Sequence, residues 1–145
     1  MIDPKSVFLA QSDTTVGFLS QDRTKLNRIK QRDENKPCIV CVSSLHVKPI
    51  RVSKTYKNLV RRSYKTTFIL QNGFSFRVVK DELHKNFIRP YGWFYSTSAN
   101  KTNEKFDIDF AKKNADIIVE DERGFFEAKP SVILKIGKKR VKKIR

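Results

Sequence analysis

The chain has 145 residues, with 31 Lys and Arg against 15 Asp and Glu for a formal net charge of +16, and 39% apolar residues that include 11 Phe. This length suits one domain spanning 1–145, and the aromatic and β-branched content excludes disorder by composition. No apolar run approaches the roughly 18 residues of a membrane span. The opening MIDPKSVFLAQ, short and acidic at Asp3, does not read as a signal peptide, so a cytoplasmic chain without a membrane partner is expected.

In chain order, SVFLA (6–10) predicts a short buried strand. QDRTKLNRIKQR (21–32) predicts a helix with Leu26 and Ile29 on one face. The continuous apolar run in PCIVCVSS (37–44) predicts a strand buried on both faces. SKTYKNLVRRS (53–63) has Tyr56, Leu59 and Val60 at helical spacing, with Ser53 as the expected cap. Two β-rich runs within 65–79 flank Asn72-Gly73, a strong hairpin signal. KDELHKNFIR (80–89) reads as a helix ended by Pro90 and Gly92, and GWFYST (92–97) as a strand. A helix over 107–115 with Asp107 as its cap follows, then strands over 116–121, 131–137 and 139–145, the last exposed and basic. The mixture predicts an α/β domain, a mixed sheet with helices packed against it.

The charge excess extends beyond the tail KKRVKKIR, and such a field attracts polyanions: RNA, DNA, nucleotides or an anionic membrane. Cys38 and Cys41 match C-x-x-C, but positions i and i+3 of a strand face opposite ways. With no second pair and no His pair nearby they read as structural cysteines, and no metal site is expected. His84, on a helix among charges, reads as a surface residue. Neither glycine-rich nucleotide fingerprint is present. What remains is three polar clusters at element ends: QSDTTVG (11–17), KQRDENKP (30–37) and STSAN (96–100). Open α/β sheets bind ligands just beyond their strand ends. Short hydroxyls and a carboxamide suit an amino acid or nucleotide, with Lys30, Arg32 and Lys36 supplying positive charge for phosphates. Period two places Ser96, Ser98 and Asn100 on one face of the strand end.

Taken in order, SDTTVGFL (12–19), IKQRDENKPCIVCVSSL (29–45), TTFIL (66–70), FRVV (76–79), STSANKT (96–102), ADIIVED (115–121) and KPSVILKI (129–136) resemble the motifs of the YrdC-like threonylcarbamoyl-AMP synthases. The resemblance runs along nearly the whole chain. It implies a twisted open α/β sheet around a concave basic cavity. It also implies a reaction in which L-threonine, bicarbonate and ATP give threonylcarbamoyl-AMP and pyrophosphate. Magnesium accompanies ATP. The product serves the modification of a tRNA adenosine beside the anticodon, with tRNA met directly or through transferase partner proteins. Carried over by matching positions, Lys30 and Arg32 are the expected catalytic residues. Lys30, Arg32, Lys36, Thr67, Ser98, Asn100 and Arg145 would meet ATP, and Ser12, Thr14, Arg77, Ser96 and Ser131 would meet L-threonine. The chain departs from the family pattern at Ser12 (usually Thr), Val16 (usually Tyr) and Ser63-Tyr64-Lys65 (usually Pro-Gly-Pro). These departures keep open an alternative, a non-catalytic YrdC-like protein that binds RNA or nucleotide.

Overall fold

Alternation along short β-rich runs builds the sheet. In the computed structural model, which describes residues 2–47 and 50–145, the strands are β1 (Phe8–Gln11), β2 (Val16–Ser20), β3 (Ile39–Val42), β4 (Thr66–Ile69), β5 (Ser75–Val78), β6 (Trp93–Ser98), β7 (Ile117–Val119), β8 (Val132–Ile136) and β9 (Val141–Lys143). The helices are α1 (Arg23–Ile29), α2 (Lys57–Arg62), α3 (Glu82–Ile88) and α4 (Ile108–Asn114). The strands form one nine-stranded mixed sheet in the order β7-β1-β2-β6-β3-β5-β4-β8-β9. β3 pairs with β5, β1 with β7 and β4 with β8 in parallel; the other neighbours are antiparallel.

Each strand splits its side chains between two faces. On β3, Val40 and Val42 join Phe68, Phe76 and Val60 of α2 on one face, while Cys41 joins Phe8, Leu19, Phe94 and Ile88 of α3 on the other. Cys38, just before β3, packs instead with Leu26 of α1 and Phe18. The two thiols are free and lie in different clusters, as period two requires. Burial pushes the Cys41 thiol upward in pKa.

The α3 face is built on aromatics. Phe8, Phe87, Tyr91 and Phe94 sit with ring centroids 5.0 to 5.8 Å apart. Gly92, at φ +86°, donates to the Ile88 carbonyl at 3.0 Å and turns the chain from α3 into β6, a conformation that a residue with Cβ adopts at a cost.

Most expected elements are present, including the hairpin with Gly73 at φ +85° and Asp107 accepting from Asp109 N at the start of α4. Three expectations need correction. The polar cluster expected over 11–17 ends in a strand instead: Val16 and Gly17 open β2, and Val16–Ser20 is fully buried near the middle of one half of the sheet. Its apolar run is too short to signal itself, and its pairing with both β1 and β6 supplies the missing stabilisation. Ser53 precedes a 3-10 turn (Lys54–Tyr56) and makes no side-chain cap bond. Its backbone carbonyl takes the first turn bond instead, from Tyr56 N at 3.0 Å. His84 is buried at 3% exposure, because it shares the inner face of α3 with Ile88, four residues on.

Phe94 has no solvent exposure. Truncating it to Ala is expected to cost about 3–5 kcal/mol. Urea unfolding followed by circular dichroism measures this, and a loss below about 1 kcal/mol would contradict the packing described.

Candidate functional site

Where β1 ends and β2 begins, the chain makes a tight polar turn. Ser12 Oγ donates to the Thr15 carbonyl at 2.6 Å, and Thr14 N donates to Ser12 Oγ at 3.1 Å. Across the sheet, Arg77 of β5 points into this turn. Its Nη1 donates to Thr14 Oγ1 at 2.6 Å, and its Nη2 pairs with Asp13 Oδ1. Both Arg77 and Asp13 are about nine-tenths buried as side chains. A guanidinium held this way has the fork geometry that pairs with carboxylate or phosphate oxygens, and here Asp13 supplies the carboxylate.

The second wall is the end of β6. Ser96, Ser98 and Asn100 line the cavity, with Gly17 opposite Ser98 on β2. A Cβ at Gly17 would lie 3.3 Å from the Thr97 carbonyl oxygen and 3.5 Å from Ser96 Oγ, so only glycine lets β2 approach this wall without crowding. Lys30 lies behind it. Its Nζ donates to the Asn100 carbonyl at 2.5 Å and the Ser98 carbonyl at 3.1 Å, and Thr102 Oγ1 donates back to the Lys30 carbonyl at 2.9 Å. Burial, then the nearby charges of Arg32 and Lys36, lower the Lys30 pKa to about 8. Asn100 Nδ2 donates to the Glu104 carbonyl at 2.7 Å and shapes the next loop.

The third wall comes from the far end of the sheet. Thr67 of β4 and Ser131, just before β8, are joined Oγ to Oγ at 2.7 Å. Arg145 Nε donates to the Ser131 carbonyl at 3.0 Å. Two loops close over the space. Phe126 N donates to Gln11 Oε1 at 2.9 Å, and Phe106 N donates to Glu127 Oε1 at 3.1 Å. Residues after β1 and after β9 thus line one cavity of about 490 Å³, so the sheet curls on itself, as a long twisted sheet does. The volume falls within the range of small-molecule sites, about 300–1,000 Å³. Charged lining residues are Arg77, Lys105 and Arg145 against Glu104 and Glu127.

Eight of the residues expected from sequence therefore converge on the cavity: Ser12, Thr14, Arg77, Ser96, Ser98, Asn100, Ser131 and Arg145. Thr67 stands one hydroxyl behind it, through Ser131. The basic trio lies outside the lining. Lys30 is beneath the β6 end, Lys36 is exposed, and Arg32 is turned into its own loop, donating to Asn27 Oδ1 at 2.6 Å. Buried Asn27 fixes that loop by donating to the Glu34 and Lys36 carbonyls, both at 2.9 Å. Among the described residues, no group of three or more His, Cys, Asp or Glu side chains could hold a metal ion, and no helix is long and apolar enough to cross a membrane.

Three comparisons bear on this arrangement. No family model matches the chain. The MG259 homolog of Mycoplasma pneumoniae is 29% identical over 107 residues, which cover 72% of this chain and 23% of that protein. The structure of P. abyssi Sua5 complexed with L-threonine superposes with a TM-score of 0.79 at 15% identity, covering 99% of this chain and 51% of that one. E. coli YciO gives a TM-score of 0.76 at 15% identity, covering 97% of this chain and 82% of that one. The chain has a YrdC-like fold. It spans about a quarter of the curated relative and about half of Sua5.

Sequence reasoning missed two features of this cavity. One is Asp13, whose pairing with Arg77 is visible only across the sheet. The other is His84, which lines the same wall. Its spacing from Ile88 was the available signal. Burial, then the charge of Arg77, lowers the His84 pKa to about 4, so the imidazole is neutral at pH 7. An unfolded histidine has a pKa of about 6.5. Between these values the unfolded chain binds the extra proton, so stability is lost as pH falls from about 6.5 to 4. Urea midpoints of the wild type are expected to drop across that window by an amount equivalent to a few kcal/mol. His84→Leu should flatten the drop; an unchanged profile in that variant would contradict the assignment.

Proposed function

We propose that the chain is an L-threonylcarbamoyladenylate synthase, a nucleotidyltransferase that forms threonylcarbamoyl-AMP from L-threonine, bicarbonate and ATP for the modification of tRNA adenosine. The observation that carries the proposal is the convergence of eight motif-matched side chains on one cavity of a YrdC-like fold. The L-threonine complex of Sua5, a protein of the same fold, supports the choice of amino acid.

The chemistry needs no covalent enzyme nucleophile. The neutral threonine amine and bicarbonate give a carbamate with loss of one water, by way of carbon dioxide; a carbamate oxygen then attacks the α-phosphorus, and the bond to the bridging oxygen breaks as pyrophosphate leaves. The protein must align the reactants and offset the charge that develops. On this proposal Arg77 receives the threonine carboxylate, competing with Asp13, while the Ser12 and Thr14 hydroxyls border the amino acid. Ser96, Ser98 and Asn100 meet the reacting groups and nucleotide with short neutral donors and acceptors. Arg145 meets the phosphates from the opposite wall, and Ser131, joined to Thr67 and Arg145, borders the threonine side. Lys30 acts from beneath the β6 end, and Arg32 and Lys36 add positive potential at the same rim. Magnesium would accompany ATP as the counterion of its phosphates.

Pyrophosphate release on mixing the protein with ATP, L-threonine, bicarbonate and magnesium tests the proposal. The expected result is threonine-dependent release, with Lys30→Ala and Arg32→Ala each losing most turnover. Full activity in both variants would refute their roles, and no release from the wild type would refute the synthase. One observation favours a second reading, a nucleotide-binding protein without catalysis: Lys30 and Arg32 spend their donors on the protein itself. Saturable ATP binding without pyrophosphate release would select it. Both readings carry a pH dependence. Lys30 loses its charge as pH rises through about 8, so ATP affinity should fall above that pH, by up to about tenfold per unit. Calorimetric titration from pH 7 to 9.5 checks the trend, and a flat profile would contradict it.

A further inference from the structure

A second, smaller cavity of about 200 Å³ opens at the carboxyl ends of the parallel strands β3 and β5. It shares no lining residue with the first. Its polar lining comes from Ser43, Ser44, His46, Arg61, Lys80 and Lys85. No lining residue is acidic, and none of these basic side chains is ion-paired among the described residues. The neighbouring Asp81 is engaged by Arg123 at 2.9 Å. The Lys80 pKa is lowered, first by burial and then by the nearby charge of Lys85. Lys80 Nζ also donates to the Arg61 carbonyl, tying the pocket to α2.

An aromatic platform stands beside these cations. Tyr64 is 71% exposed, the most exposed of the large hydrophobic side chains among the described residues. The Lys80 ammonium lies 5.6 Å from its ring centroid. An exposed ring beside cations without ion-pair partners suits a strand of nucleic acid: phosphates on the cations, a base on the ring.

We infer that Arg61, Lys80, Lys85 and Tyr64 form a binding site for single-stranded RNA, separate from the large cavity, with the pocket holding backbone phosphate and Tyr64 stacking an unpaired base. The chain-wide charge of +16 steers the strand toward it, and the pocket fixes where it rests. The inference is independent of the synthase proposal, since it uses none of that cavity's residues.

Fluorescence anisotropy with a labelled single-stranded RNA of about 12 nucleotides tests the site without ATP or threonine. Tyr64→Ala is expected to weaken binding about 5- to 150-fold. Arg61→Ala and Lys85→Ala should each lower the slope of log affinity against log salt by about 0.7. A duplex of the same sequence should bind more weakly than the single strand, because its bases are not free to stack. Lys142→Ala and Lys143→Ala, on the exposed edge strand β9, serve as charge controls and should have the smaller effect. Thermal melts of all variants confirm that the fold is kept. Equal losses from the β9 controls would overturn the site, as would an unaffected Tyr64→Ala variant or equal affinity for duplex. Vesicles of phosphatidylcholine and phosphatidylserine provide the last arm. Dependence of vesicle binding on Tyr64, with RNA binding unchanged, would assign the patch to a membrane surface and overturn the inference.

Discussion

A buried ammonium beneath the end of β6 sets the shape of the cavity. Moving a charged amine out of water is costly unless hydrogen bonds replace its hydration. Lys30 finds that replacement in the carbonyls of Ser98 and Asn100, so the chain must turn there rather than run on as a strand. The bend presents Ser96, Ser98 and Asn100 to one space, and the Asn100 carboxamide then organises the loop that carries Glu104 to Phe106 across the opening. Arg77 is the counterpart on the other wall, a buried guanidinium held by Asp13 and Thr14. Lys30 behind one wall and Arg77 in the other thus fix the frame between which the short hydroxyl side chains are presented.

The two ligand-facing regions divide the charge differently. Inside the large cavity, carboxylates balance part of the positive lining, and recognition falls to short side chains at fixed positions. On the outer pocket at the ends of β3 and β5 the cations are unbalanced and stand beside an exposed ring. The first arrangement suits a small molecule recognised by geometry; the second suits a polymer attracted by charge.

Much of this organisation was legible in the sequence. Asn72-Gly73, Asp107 and Gly92 act locally, through φ and capping, and their elements stand where the pattern placed them. The polar motifs at strand ends were legible for the same reason, because a run of small hydroxyls after Trp93 to Tyr95 has no place in an apolar core. What was illegible depends on distant partners. β2 is a strand because β1 and β6 flank it. His84 is buried because α3 turns it toward Arg77 rather than toward water. Arg32 faces Asn27 rather than the cavity because the loop folds back on α1.

The central claim is that L-threonine and ATP share the cavity between the β6 end and Arg77. Backbone amide chemical shifts in a 15N-labelled sample, followed during separate and joint titrations of the two ligands, test it most directly. Saturable shifts confined to 12–17, 77, 96–100 and 128–131, with each ligand tightening the other, are the expected result. Shifts centred elsewhere, or none at saturating concentrations, would contradict it.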